Sequence, residues 1–164
     1  MIIRIEHPDD APAIADLVRR AFLTAAHSCG REAEVVDELR RDRALMVSLV
    51  AEDASGLVGH LAASPATIAG KGGWAGLGPL AVAPESQRRG IGSALMAEGL
   101  ARLRRDGLAG AVLVGDPAYY LRFGFAARKG LTLAGVPPEV VLALAFGSEA
   151  SWGEAVFHPA LSPA

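Results

Sequence analysis

The sequence holds one cysteine, Cys29, in 164 residues. An intramolecular disulfide and a four-cysteine metal site are therefore both excluded. Lysine is almost as scarce: Lys71 and Lys129 are the only two, so arginine carries nearly all the positive charge. With 16 basic against 18 acidic residues the net charge is −2. No basic stripe of the kind that tracks a nucleic-acid backbone is present. Long apolar runs are missing as well. The longest, Val140 to Phe146, has seven residues, against the roughly 20 that a membrane-spanning helix needs. Met1 to Pro8 lacks the apolar stretch of a signal peptide. The expectation is a cytoplasmic protein that uses neither nucleic acid nor a membrane as partner.

Hydrophobic residues make up 51% of the chain and charged residues 21%, which excludes disorder as a description of the whole. At this length about 70% of the unfolded surface can be buried, so one domain over residues 1–164 is expected.

Periodicity divides the chain. Met1 to Glu6 alternates around Ile3 and Ile5 and predicts a short strand. Asp9 and Asp10 are candidate caps for a helix carrying Ile14, Leu17, Val18, Ala21 and Phe22 on one face. A second, shorter helix is predicted over Glu32 to Arg41. Three strands follow, Leu45 to Glu52, Leu57 to Ile68 and Trp74 to Val82, with turns at Asp53 to Gly56 and Gly70 to Gly73. A helix over about Arg89 to Asp106 leads to a wholly apolar strand, Ala109 to Val114, which implies one right-handed parallel crossover. Pro117 to Arg122 allows one or two helical turns. Phe125 to Leu133 and Val140 to Phe146 are further candidate strands, and His158-Pro159 is read as part of a polar tail. The fold class is α+β, with a mixed, mostly antiparallel sheet.

One segment points to chemistry. In Leu80-Ala81-Val82-Ala83-Pro84-Glu85-Ser86-Gln87-Arg88-Arg89-Gly90-Ile91-Gly92-Ser93, a strand ends, a polar loop carries two arginines and two glycines, and a helix begins. The start of a helix leaves backbone N–H groups unpaired and carries partial positive charge. Gly90 and Gly92 keep side chains away from those donors, and Arg88 and Arg89 add fixed charge beside them. The combination describes an anion cradle suited to phosphate. It is not a Walker A loop, since no Gly-Lys-Ser/Thr occurs, and Leu95 stands where a dinucleotide fingerprint needs its third glycine. A loop that merely turns into a helix is the rival reading.

Gln87-x-x-Gly90-x-Gly92, behind a strand ending Leu80-Ala81-Val82-Ala83-Pro84-Glu85, resembles the acetyl-CoA-binding motif of the GNAT superfamily of N-acetyltransferases. Ala118-Tyr119-Tyr120-Leu121-Arg122-Phe123-Gly124-Phe125 is similar to that superfamily's Tyr-x-x-x-Gly-Phe segment. With Gly78-Pro79 and Gly115-Asp116-Pro117 included, the chain looks most like the small stand-alone bacterial branch of predicted acetyltransferases. The resemblance implies a central sheet of about seven strands flanked by about four helices, with a split between the fourth and fifth strands. It implies acetyl-CoA as co-substrate, no metal, and transfer of an acetyl group to a primary amine, small molecule or peptide, by direct attack in a ternary complex. It also admits a homodimer.

Residue by residue, the resemblance gives the CoA pyrophosphate to Arg88, Arg89, Gly90, Ile91, Gly92 and Ser93. It gives the pantetheine arm to the backbone of Leu80, Ala81 and Val82, with an N–H near Val82 facing the thioester oxygen. Asp116 falls in a loop where many relatives contact CoA through an asparagine. Tyr120, four residues before Gly124, takes the place of the general acid; a phenol is protonated at neutral pH and can supply the departing thiolate. A core tyrosine packing a short helix is the alternative, and Tyr119 is the neighbouring candidate.

Many relatives place a glutamate on the fourth strand as general base; Trp74 to Leu80 carries no carboxylate, so the resemblance assigns no base here. His60 is a candidate, with a hydrogen-bonded structural histidine the favoured alternative. Glu34 reads as part of a solvated helix face. His27 and Cys29 do not suggest a nucleophilic pair, and Cys29 reads as incidental. The four histidines show no metal-ligand spacing. The missing carboxylate leaves open a second class, an acyl-CoA-binding regulatory module without turnover. A protein that binds no ligand is a third.

Overall fold

The computed structural model describes residues 1–25, 28–148 and 150–161; His27 lies outside them. The chain divides into two compact units, Met1–Ala63 with Gly78–Gly99, and Ser64–Leu77 with Leu100–Ala164.

In the first unit, β1 (Ile2–Ile5) opens the chain and α1 (Ala11–Phe22) and α2 (Glu32–Arg41) follow. Next come β2 (Val47–Asp53) and the first part of β3 (Gly56–Ile68). β1 pairs antiparallel with β2 from Ile2↔Glu52 to Ile5↔Leu49, and β2 pairs antiparallel with β3, with an irregularity between Ala51 and Glu52. The apolar stripe of α1 buries Ile14 and Val18, and that of α2 buries Val36. These pack with Val50 and Ala81 into one core. The opposite face of β3 receives α3 (Ile91–Arg105). Gly59 makes room for it: a Cβ there would stand 2.9 Å from Ile91 Cγ2 and 2.8 Å from Leu95 Cδ1.

Asp10 is the residue before α1, but it makes no side-chain cap. Its carboxylate accepts from Arg4 at 2.7 Å and from the His7 N–H at 2.7 Å. The two charge-assisted bonds outcompete the helix N–H groups for the same oxygens.

In the second unit, β4 (Lys71–Val82) contributes its first half, and β5 (Gly110–Val114), α4 (Pro117–Tyr120), β6 (Thr132–Leu133), β7 (Val141–Ala145) and β8 (Glu154–Phe157) follow. β4 and β5 are parallel, paired from Trp74↔Gly110 to Gly76↔Val112, as the strand-helix-strand order requires. Pairing ends there, and the expected split begins. β5 and β7 are antiparallel from Gly110↔Ala145 to Val114↔Val141. Trp74, Val112, Leu131, Val141 and Ala143 are among the residues of this unit's core. Among the described residues the strand order is β1-β2-β3-β4-β5-β7, with β8 on β3 and β6 on β8. The sheet is mixed and mostly antiparallel.

Three expectations need correction. Phe125 to Leu133 is not a strand: Ala126 makes one isolated bridge to Ala143, and only Thr132–Leu133 is extended. A turn closed by Leu131 N–H on Arg128 O, with Gly130 at φ 90°, breaks it. The β3–β4 turn sits at Ala69 and Gly70, at φ 52° and 74°, so that Lys71 already opens β4. The tail is not simply polar either. Glu154–Phe157 pairs with Ala66, Thr67 and Ile68 of β3 and buries Ala155.

Candidate functional site

The cradle lies wholly in the first unit. At the end of β4 the Ala83 N–H donates to Val58 O at 2.9 Å. Backbone groups alternate along a strand, so Ala81 shares that edge while Leu80 and Val82 address the opposite one. The Ala81 side chain is buried in the core, and those of Leu80 and Val82 are half-buried. A 3-10 turn over Pro84–Ser86 follows. Gln87 then reaches back, its Nε2 donating to Val82 O at 3.1 Å.

Beyond Gln87 the backbone takes an uncommon course. Arg88 has φ 64° and Gly90 has φ 83°, two left-handed residues with Arg89 between them. Left-handed geometry next to a right-handed helix turns consecutive N–H groups into one concavity, an anion-binding arrangement. For Gly90 the conformation is easy, whereas for arginine it costs about 1–2 kcal/mol. The first helical bond of α3 is Ala94 N–H to Gly90 O at 3.0 Å. The N–H groups of Ile91, Gly92 and Ser93 therefore have no acceptor within the helix. Arg88, Arg89 and Gly90 are exposed, and a Cβ at Gly90 would meet nothing within 4 Å. The Ile91 side chain is buried, so only its backbone faces the cradle. The Gln87 tether and the strained Arg88 were not visible in the spacing of the motif.

One ion pair braces this loop from α1. Arg20 Nη1 contacts Glu85 Oε1 at 3.1 Å, while its Nε holds Asp16 at 3.2 Å. Both pairs are exposed, so solvent screens them and their contribution to stability is small.

The second unit carries Asp116 and Tyr120. Asp116 caps α4, its Oδ1 accepting from the Ala118 N–H at 2.9 Å. Tyr120, half-buried, lies edge-on to Tyr119 at 4.8 Å and to Phe125 at 6.2 Å between ring centres. Burial, helped by neighbouring Tyr119, pushes its hydroxyl up to about 12. Tyr119 is half-buried too, with the Arg122 guanidinium 4.6 Å above its ring.

His60 is fully buried, with Nε2 2.8 Å from Ser48 Oγ. Desolvation, with Arg40 adding a repulsive charge, pulls it down to about 3. It is a neutral structural histidine. Glu34 is exposed on α2, and Cys29 is an exposed thiol whose N–H donates to Glu32 Oε1 at 2.8 Å. Among the described residues no cluster of three or more His, Cys, Asp or Glu could hold a metal ion, and no helix is long and apolar enough to cross a membrane.

The acetyltransferase (GNAT) domain family matches residues 2–128. The chain is 43% identical over 127 residues to the uncharacterized N-acetyltransferase YhbS of Escherichia coli K12, covering 76% of this chain and 73% of that protein. A GNAT family acetyltransferase from Brucella melitensis, solved in complex with acetyl-CoA, superimposes with a TM-score of 0.87 at 43% identity, covering 98% of this chain and 97% of that one. Escherichia coli YhbS, solved in complex with CoA, gives a TM-score of 0.89 at 34% identity, covering 97% and 90%. The family match over residues 2–128 and the likeness in fold along nearly the whole chain agree, and the protein belongs to the GNAT family of acetyltransferases.

Proposed function

We propose that the protein transfers an acetyl group from acetyl-CoA to a primary amine by direct attack within a ternary complex. The observation that carries this reading is the left-handed pair Arg88 and Gly90 ahead of the unpaired N–H groups of α3. In the proposed complex the N–H groups of Arg89, Gly90, Gly92 and Ser93 hold the pyrophosphate, with Arg88 and Arg89 as counter-charges. The pantetheine amides pair with the outward backbone groups of Leu80, as an added strand would, and the Val82 N–H is kept for the thioester, since the Val82 carbonyl accepts from Gln87. The two relatives solved with acetyl-CoA or CoA support this reading.

The amine lone pair attacks the thioester carbon, and the oxygen takes up negative charge that the Val82 N–H stabilises. As the intermediate collapses the C–S bond breaks, Tyr120 gives its proton to sulfur, and the nitrogen releases one proton to water. The phenolate is then reprotonated from solvent, so products are CoA thiol and amide. A hydroxyl pushed up to about 12 keeps its proton throughout the neutral range. In this scheme the loop of Asp116 contacts CoA, while one of its carboxylate oxygens caps the α4 turn that carries Tyr120. The base that deprotonates the amine is not His60, whose buried ring stays neutral and bonded to Ser48.

The test is thiol release from acetyl-CoA against a panel of amines and peptides. Amine-dependent release supports the transferase. Saturable binding with no release under any amine would favour the regulatory module instead.

A further inference from the structure

We propose that Gly115 is a positioning residue for Tyr120, and that the side chain it lacks is what lets the phenol ring lie where it does. The inference rests on the reading of Tyr120 as the acid. Gly115 follows β5 directly, and its N–H donates to Val140 O at 3.0 Å. Its φ is not left-handed, so that strain is not what calls for glycine there. The usual conformational reason for glycine is missing. What is present is a ring: a Cβ at Gly115 would overlap Tyr120 Cε2 and stand 2.9 Å from Cδ2.

Neither backbone has freedom to yield. Gly115 is tied to Val140, the Tyr120 N–H donates to Asp116 O at 3.1 Å, and Tyr120 O accepts from the Phe125 N–H at 3.3 Å. On its other sides the ring meets Tyr119, Phe123 and Phe125. A methyl group at 115 therefore displaces the phenol, and with it the hydroxyl, by rotation of the side chain. Displacements near 1 Å at a reacting group cost up to about 100-fold in rate.

The experiment is a double-mutant cycle with Gly115→Ala, Tyr120→Phe and the double variant, measuring kcat and the KM for acetyl-CoA. Gly115→Ala is expected to lower kcat about 10-fold with KM little changed. In the Tyr120→Phe background, where no hydroxyl remains to misplace, the same substitution is expected to change kcat less than about 2-fold. An equal loss in both backgrounds, or none in either, overturns the positioning role. An unchanged kcat in Tyr120→Phe alone overturns instead the acid reading beneath it. If Gly115→Ala does not fold, the wild-type protein supplies a second measurement: nuclear Overhauser contacts between the Gly115 α-protons and the Tyr120 ring are expected, and their absence overturns the proposal.

Discussion

The Gln87 side chain donates a hydrogen bond across 3.1 Å to the carbonyl oxygen of Val82, closing the cradle loop onto the end of the strand before it. The bond does two things. It satisfies a carbonyl on the strand edge that β3 does not use, and it fixes where the chain emerges before the left-handed Arg88. An exposed bond of this kind contributes about 0.5–1.5 kcal/mol. Gln87→Ala is accordingly expected to weaken acetyl-CoA binding roughly 3- to 10-fold, with a small loss of thermal stability. Calorimetric titration checks it, and unchanged affinity would show that the loop holds its course without the tether.

Arg88 presents a conflict between fold and function. Its φ of 64° costs about 1–2 kcal/mol, of which glycine would recover all but the roughly 0.5–1 kcal/mol it adds to unfolded-chain entropy. Arg88→Gly is therefore expected to stabilise the protein by about 0.5–1 kcal/mol. The same change removes a counter-charge and is expected to weaken acetyl-CoA binding about 10-fold, less so at high salt. Denaturant midpoints and titrations at two ionic strengths read both effects. Loss of stability together with retained affinity would contradict the assignment.

His60 gives the protein an acid limb. The folded state holds it at about 3 against an ordinary 6.5, so the unfolded chain takes up this proton first as pH falls. Stability from this group is complete above about pH 6.5 and declines as pH falls toward about 3, by up to roughly 1.4 kcal/mol per pH unit. His60→Gln, which keeps a partner for the Ser48 hydroxyl, is expected to lack that decline, retaining about 2–3 kcal/mol more of its neutral-pH stability at about pH 4.5 than wild type does. Asp10, held below its ordinary value chiefly by its bond to Arg4, adds a loss of the same sign to both proteins. The difference between urea midpoints isolates His60. Parallel pH curves would contradict its neutral burial.

What was legible in the sequence follows from how strongly each feature writes itself in residue types. Gly90 was readable because its left-handed backbone suits glycine, and the parallel crossover because β5 is apolar throughout. Arg88 shares that backbone but leaves no trace, since arginine advertises nothing about φ. The β8 strand was hidden because four residues are too few for alternation to stand out, and because half its pairing comes from β3, far away in sequence. Phe125 to Leu133 misled for the opposite reason: its β-prone residues outweighed the turn at Gly130. Asp10 looked like a helix cap until Arg4 supplied a stronger partner. The ring of Tyr120 and the bare backbone of Gly115 meet only through tertiary structure, and no local pattern announces them.

The central claim is that the loop from Arg88 into α3 holds the pyrophosphate of acetyl-CoA. Its most direct test is calorimetric titration of acetyl-CoA into the wild-type protein and into Gly90→Asp. Aspartate is among the residues that best tolerate a left-handed backbone, so the variant is expected to keep its fold by circular dichroism. Its carboxylate would stand against the phosphates. The account predicts saturable binding at one site per chain in the wild type and at least a 100-fold loss in the variant. Equal affinity in the two proteins would contradict it.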